Sequence, residues 1–338
     1  MSFFRAAEFL IPKGRLDGVR NVGVIGDSIA AVSTRALRGK LTINITGLVV
    51  VPGFIDLHSH GQDDENYRFK AKDGVTTALE LEAGASPVKD WYIAREGKAL
   101  VNLGASAGPI PARMTVMGDT SHFIPRDAAL NRAATPEEQS AIIASVQKDL
   151  NDDGLGVGLG IEFVPKTSPA EVLDLFYAVA RWHRPIFLQL RRPGTGVIES
   201  LQEVIADAAV AGVSIHVMHI NGTGGSRTPE ALRMVGGARE RGLDVTMEVY
   251  PYIAGSSPIE SGLFNPGWQE NRGITRSDLM WVDTGERLTR ETFDQYRKQG
   301  GQLIMFLNTR EAATRYEYKH DAELLLERND TCRLARPV

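Results

Sequence analysis

Two histidines at the end of a short apolar segment are the clearest chemistry-bearing feature of this sequence. The segment reads F-I-D-L-H-S-H over residues 54–60 and follows a Val-Pro-Gly tripeptide. Alternate side chains of a β-strand share a face, so Asp56, His58 and His60 are predicted to lie together. Two imidazoles spaced in this way can bind one metal ion, and histidine is a common zinc ligand. The alternative is a polar strand end without metal, but the apolar strand and the loop that follows favour the metal site.

A second segment carries two carboxylates in the same alternating pattern. Residues 74–82 read G-V-T-T-A-L-E-L-E, which places Glu80 and Glu82 on one face of a strand. Inward-facing carboxylates are costly unless they are paired or bind a metal. Glu82 is nearer the carboxyl end of the strand, so we predict it as a metal ligand and Glu80 as a structural contact deeper in the fold. An edge strand with both acids in water fits the apolar neighbours Leu79 and Leu81 poorly.

Further candidate ligands lie in two later apolar segments. In V-S-I-H-V-M-H-I-N-G, His216 and His219 face opposite sides of a strand, and His219, at the strand end, is predicted as the ligand. His216 is predicted to pack or to lie on the surface. In V-T-M-E-V-Y-P-Y, Glu248 is predicted either to bind the metal or to orient a ligand.

Three side chains near strand ends are candidates for binding substrate. Tyr250 and Tyr252 could donate hydrogen bonds to a carboxylate or a carbonyl, although a Tyr-Pro-Tyr corner that only packs explains them nearly as well. Arg191 or its neighbour Arg192 could bind a carboxylate through two parallel hydrogen bonds. A surface salt bridge is an equally good explanation for the arginine.

The elements that must position these residues alternate between short apolar strands and longer amphipathic helices. This alternation is typical of parallel β/α units, and about eight strands suit a closed barrel better than an open doubly wound sheet. We predict an α/β protein with a small N-terminal β-layer (residues 1–50) and a TIM-type (β/α) barrel (residues 51–338) whose last strand is missing or altered. The stretch 255–289 is interpreted as a long loop that could cover a site. The predicted strands are 48–60, 75–82, 99–106, 155–164, 185–191, 213–220, 243–250 and 302–307, and the predicted helices include 136–150, 168–182, 198–211, 228–241 and 290–299.

Composition argues against several classes of protein. The 338 residues carry a net charge of -4, which gives no basic surface for nucleic acid. No apolar run reaches membrane-spanning length, and no secretion signal is recognised at the start. The single cysteine, Cys332, fits a reducing compartment, so a cytoplasmic location is predicted. His122, His183 and His320 are predicted to be ordinary surface histidines. The oligomeric state is left open, although an unclosed barrel would expose apolar edges that favour association.

Taken together, these motifs resemble the amidohydrolase superfamily, and more narrowly its D-aminoacylase or N-acyl-D-amino-acid deacylase branch. The matching pieces are V-V-V-P-G-F-I-D-L-H-S-H, G-V-T-T, H-I-N-G and E-V-Y-P-Y-I-A-G-S-S, within about residues 15–308. The resemblance implies one or two zinc ions and a metal-activated water that attacks the amide of an N-acyl-D-amino acid. It implies ligand roles for residues that match the family positions, namely His58, His60, Glu82, His219 and, more weakly, Glu248.

The sequence also departs from the family pattern. The resemblance implies a late Ser-Asp-Gly motif whose aspartate is the general base, but no such motif is found, so the catalytic base is not assigned. Asp321 and Asp330 lie in polar contexts that do not read as a final strand. Gln189 stands where a histidine is expected. The chain is therefore expected to be truncated or altered near its C-terminus.

Two other functions remain open at this stage. A cyclic-amide hydrolase of the dihydroorotase or hydantoinase kind commonly uses a carboxylated lysine between two metals. No lysine stands at a suitable strand end, although Glu82 could bridge instead. The second alternative is a catalytically inactive, truncated barrel that serves as a binding protein.

Overall fold

The computed structural model describes residues 2–11, 16–121, 123–250 and 252–307. His122, His320, Asp321 and Asp330, which the sequence analysis singled out, lie outside these residues. The chain divides into two compact units, one of Met1–Asp56 with Arg68–Thr77 and the other of Leu57–Tyr67 with Ala78–Val338. The boundary at residue 50 stays a prediction.

The first unit contains a small β-layer. Its strands are β1 (Ser2–Ile11), β2 (Leu16–Ile25), β3 (Ser28–Ser33), β4 (Leu41–Asn44) and β5 (Val49–Val50). The strand order is β3-β2-β1-β4, and β5 also pairs with β1. β2 pairs antiparallel with β1 and β3, whereas β4 and β5 run parallel to β1. Gly26, with a φ of +61°, closes the turn between β2 and β3 in a conformation that glycine adopts without steric cost.

A seven-stranded sheet carries the chemistry-bearing segments. Its order is β12-β11-β10-β9-β8-β7-β6, and the neighbours from β8 to β12 run parallel. Helices connect most of these strands, so the arrangement is an incomplete (β/α) barrel, as predicted. The strands are β6 (Phe54–Asp56), β7 (Val75–Ala85), β8 (Asn102–Ala107), β9 (Val157–Gly160), β10 (Ile186–Gln189), β11 (Ile215–Val217) and β12 (Val245–Met247).

Several helices of the chain pack their apolar faces onto this sheet. Leu188 and Val217 of the strands and Leu201 of a helix are fully buried in the core between them. Strands that are covered on both faces have nearly continuous apolar sequences, and this pattern allowed the strands of this region to be predicted. The helices are α1 (Asp64–Lys72), α2 (Val88–Arg95), α3 (Pro109–Val116), α4 (Ala128–Asn131), α5 (Pro136–Asn151), α6 (Pro169–Val179), α7 (Val197–Ala211), α8 (Ile220–Gly224), α9 (Thr228–Glu240), α10 (Trp268–Arg272) and α11 (Arg290–Gln299).

The predictions for residues 255–289 and 302–307 are wrong in one respect each. The first stretch is not a long loop, because it contains most of β13 (Ala254–Pro258), α10 and β14 (Leu279–Trp281). The second forms β15 (Gln302–Phe306), which pairs antiparallel with β13 and β14 and is not a barrel strand. The physical reason is a separate apolar core in which Trp268 stacks on Phe293 with 5.5 Å between ring centroids. Glycine and proline between the apolar residues obscured that core in the sequence.

No helix in the described part of the chain is long and apolar enough to cross a bilayer. The cytoplasmic location stays a prediction.

Candidate metal centre

The site lies between the segment that follows β6 and the neighbouring strand β7. His58 and His60 follow β6, and Glu80 and Glu82 belong to β7. The backbone N–H of Ser59 donates to the Leu79 carbonyl over 2.9 Å, which fixes the histidine segment beside the strand. Because side chains alternate along both segments, two histidines and two glutamates meet on one side. Glu82 is only 3% exposed and Glu80 only 6%.

The Glu82 carboxylate is the centre of this cluster. Its Oε2 atom lies 3.0 Å from His58 Nε2 and 3.0 Å from His60 Nε2, and the two nitrogens are 2.9 Å apart. His58, His60 and Glu82 thus offer three ligand atoms within 4.8 Å of one another. Ligand atoms around a tetrahedral zinc at 2.0–2.1 Å lie roughly 3.3 Å apart, so these separations are close to those of a zinc site.

His219 joins the cluster from the other side of the carboxylate. Its Nε2 atom lies 3.0 Å from Glu82 Oε1, and its Nδ1 atom is 3.0 Å from the Thr223 hydroxyl. The backbone of His219 is left-handed, with a φ of +31°, directly after β11 and before α8. Such a conformation is costly for a residue with a side chain and is typical of functional positions. Of the two histidines in this segment, His219 is thus the one that contacts Glu82, and its role as a ligand stays a prediction.

Two further carboxylates contact the outer nitrogens of the first two histidines. Glu248 Oε1 lies 2.7 Å from His58 Nδ1, and the Glu80 oxygens lie 2.9 and 3.0 Å from His60 Nδ1. Sequence reasoning assigned Glu80 only a structural contact and missed its bond to His60. The alternation of Glu80 with Glu82 was the available signal. Thr223 was also missed, although it lies four residues after His219.

This donor set fits a bound cation. When His58 Nδ1 donates to Glu248 and His60 Nδ1 donates to Glu80, both Nε2 atoms present lone pairs toward Glu82 Oε2. Lone pairs of two nitrogens and one carboxylate oxygen at these separations repel unless a positive charge lies between them. Imidazole nitrogen and carboxylate oxygen are both zinc ligands.

Without a metal, protons meet the same need, as the pKa values show. Burial lowers the pKa of His58, but the charge of Glu82 and hydrogen bonds to Glu248 and Glu82 outweigh it and hold the pKa well above its ordinary value. Burial likewise lowers the pKa of His60, whereas hydrogen bonds to Glu80 and Glu82 raise it, to about 9. Burial raises the pKa of Glu82, yet the neighbouring histidines hold it well below the ordinary range.

His216 lies outside the cluster, as the alternation predicted. Its Nδ1 atom is 2.8 Å from the Thr246 hydroxyl, and its Nε2 atom is 3.7 Å from Glu248 Oε2. Burial raises the pKa of Glu248, but the close contact with His216 and the hydrogen bond with His58 lower it, to about 2. Glu248 is therefore an anion held between two imidazoles, at the Nδ1 side of His58. Its role as a direct ligand stays a prediction.

The predicted substrate-binding residues have different surroundings. The Tyr250 ring lies 6.2 Å from the His219 ring, and Tyr252 stacks on Tyr250 with 6.3 Å between centroids. Tyr252 is 66% exposed, so its phenol can meet a ligand. Arg191 bonds Glu203 over 2.9 and 2.6 Å and also donates to the Thr167 carbonyl. Its substrate role stays a prediction, since these partners would have to be exchanged for substrate.

Gln189, which stands where the family resemblance implies a histidine, has a buried polar partner. The Gln189 amide donates to Glu162 Oε2 over 2.5 Å, and Glu162 also pairs with Arg272. Glu162 and Gln189 are both buried. The end of β10 is thus committed to a buried polar network.

Comparison with known proteins supports the motif-based reading. A profile described as the amidohydrolase family matches residues 41–105. A D-aminoacylase of Alcaligenes xylosoxydans xylosoxydans is 26% identical over 279 residues, which cover 71% of this chain and 55% of the relative. The chain thus spans about half the length of the curated relatives it matches.

Solved structures show the same fold. The crystal structure of N-acyl-D-glutamate deacylase from Bordetella bronchiseptica, complexed with zinc and a phosphonate inhibitor, has a TM-score of 0.72 at 22% identity and covers 90% of this chain and 71% of that chain. A D-aminoacylase structure whose subject is the role of a binuclear metal centre has a TM-score of 0.73 at 22% identity, with coverages of 93% and 73%. The resemblance that the motifs indicate is confirmed: part of this chain matches the amidohydrolase family profile, and the chain is similar to D-aminoacylases in sequence and in fold.

Proposed function

We propose that this chain is a zinc-dependent hydrolase that cleaves the linear amide bond of N-acyl-D-amino acids. One observation carries the proposal: the Nε2 atoms of three histidines lie 3.0 Å from the two oxygens of the buried Glu82 carboxylate. The similarity to a D-aminoacylase supports the choice of substrate.

The proposed function assigns metal-binding and substrate-binding roles to different side chains. A metal ion held by His58, His60, Glu82 and His219 would polarise the amide carbonyl and lower the pKa of water to about 7. Glu82 supplies one oxygen to each side of the site, so the same residues suit one ion or two. The phenols of Tyr250 and Tyr252, beside His219, are donors for the substrate carboxylate.

The proposal is tested by metal content and turnover of the purified chain. We expect at least one zinc per chain by mass spectrometry, and release of free D-amino acid from N-acetyl-D-amino acids but not from their L-enantiomers. The double variant His58→Ala/His60→Ala should lose both properties. His183→Asn is the matched control, because His183 is exposed, lies outside the cluster and has a left-handed backbone that asparagine tolerates. Zinc binding without any amide hydrolysis would favour the binding-protein alternative.

A further inference from the structure

The two sides of the Glu82 carboxylate are unequally equipped for metal binding. On the Oε2 side, His58 and His60 both contact the carboxylate of Glu82, and each has a glutamate side chain as its partner at Nδ1. On the Oε1 side, His219 contacts the carboxylate, and its Nδ1 partner is the neutral Thr223 hydroxyl. The site is therefore asymmetric in both the number of nitrogen donors and the charge behind them.

The partner at Nδ1 matters because it sets the tautomer and the basicity of the ligating nitrogen. A carboxylate that accepts the Nδ1 proton leaves the Nε2 lone pair free and enriches it in electron density. Removal of such an outer partner typically costs 10–100-fold in metal affinity. A hydroxyl can accept the same proton, but it carries no charge and can rotate to donate instead.

The end of β10 does not supply the Oε1 side with a second nitrogen. The Gln189 amide nitrogen donates to Glu162, which Arg272 also binds, so this nitrogen is directed toward Glu162. His216 bonds Thr246 rather than Glu82. Within the ranges that the structure describes, His219 is the single histidine on the Oε1 side, whereas the Oε2 side has two.

We infer that the first zinc ion binds on the Oε2 side, to His58, His60 and Glu82, and that any second ion binds more weakly on the His219 side. Glu80 and Glu248 are positioning residues of the tight site: they hold His60 and His58 in the ligating tautomer. The inference rests on the proposed metal-dependent function and adds an order of metal loading and two positioning residues to it.

The order of loading can be measured by zinc affinity alone. The full chain is stripped of metal and titrated with zinc in competition with a chromogenic chelator. Circular dichroism of every variant serves as a check on folding. We expect one tight equivalent in the wild type and a second at least about 10-fold weaker. His219→Ala should leave the tight constant within about threefold, whereas His60→Gln or His58→Gln should abolish that step.

The positioning role has its own variants. Glu80→Gln and Glu248→Gln keep the shape of the side chain but lose the charge, and each should weaken the tight step about 10–100-fold. Glu230→Gln is the matched control, because Glu230 pairs with Arg227 on the surface at 2.8 Å. Each Gln variant tests the role on its own should the other fail to fold.

Three results would overturn the inference. Loss of the tight step in His219→Ala with retention in His60→Gln would reverse the order of loading. Unchanged affinity in both Glu→Gln variants would remove the positioning role. A wild-type chain that binds no zinc would overturn this inference and the proposed function together. Tight zinc binding in the expected order without turnover would instead refute the proposed activity alone.

Discussion

Gly158 on β9 is predicted to control the position of Glu82, although it is not part of the cluster. A methyl group added at Gly158 would lie 2.7 Å from the Glu82 carbonyl oxygen, 2.5 Å from Ser106 Oγ, and still nearer to the Leu81 carbonyl oxygen. Non-bonded heavy atoms pack comfortably at about 3.5 Å or more. Gly158→Ala therefore requires β9 and β7 to separate by about 1 Å.

The size of the effect follows from which atoms are in the way. Extra methylene groups in a packed core typically cost about 1–3 kcal/mol, because neighbouring side chains rotate aside. Two of the three obstacles here are backbone carbonyls of a buried strand, which cannot rotate aside. We expect a loss of about 3 kcal/mol or more in the free energy of unfolding. Because the Glu82 backbone is one of the obstacles, zinc affinity should also fall about 10-fold or more.

Urea denaturation and competitive zinc titration measure the two effects. Gly255→Ala is the control, since a methyl group at Gly255 would meet its nearest neighbour, Leu307 Cδ1, at 3.9 Å. That variant should bind zinc as the wild type does and should not lose stability. If Gly158→Ala matched the wild type in both stability and zinc affinity, the packing argument would be refuted.

Three other predictions concern the pH dependence of stability, a buried ion pair and a helix cap. In the zinc-free protein the pKa of His60, about 9, exceeds its unfolded value of 6.5, so its stabilisation is complete below about pH 6.5 and is lost toward pH 9. Glu248, at about 2 against 4.5, stabilises above pH 4.5 and loses that effect as the pH falls toward 2. The urea midpoint should accordingly peak between about pH 4.5 and 6.5, and His60→Gln should flatten the alkaline decline. Arg113→Met leaves the buried Glu171 carboxylate without its 2.9 Å partner, and it should cost about 3–5 kcal/mol in urea denaturation; a loss below 1 kcal/mol would contradict this. Thr135→Ala removes the capping box of α5 and should lower the thermal midpoint by an amount equivalent to about 1 kcal/mol, whereas Thr135→Ser should not.

Local pattern was sufficient to predict much of the fold and the grouping of the candidate ligands. Alternation along a strand depends only on backbone geometry, so the pairing of His58 with His60 and of Glu80 with Glu82 could be inferred without any distant contact. The capping box at Thr135 and Glu138 is also local, and the helix begins where it was predicted. The strand-end position of His219, rather than its chemistry, distinguished it from His216.

Only the tertiary structure decided which groups these side chains contact. Glu248 is 190 residues from His58 along the chain, and Glu82 is 137 residues from His219. Their contacts depend on the curl of the seven-stranded sheet, which no local pattern encodes. The same holds for Gln189, whose partner Glu162 is 27 residues away.

The stretch 255–289 and the strand at 302–306 show where the sequence pattern failed to predict the structure. Apolar residues such as Trp268 and Trp281 are separated by glycine, proline and polar residues, so they show no periodicity in the sequence. They become a core only when β15 pairs with β13 and β14 and α11 brings Phe293 onto Trp268. The types and spacing of residues were thus enough to predict a metal site and the candidate ligands that the structure brings together. The partners of those histidines and the third sheet depend on contacts that form only when distant segments pack.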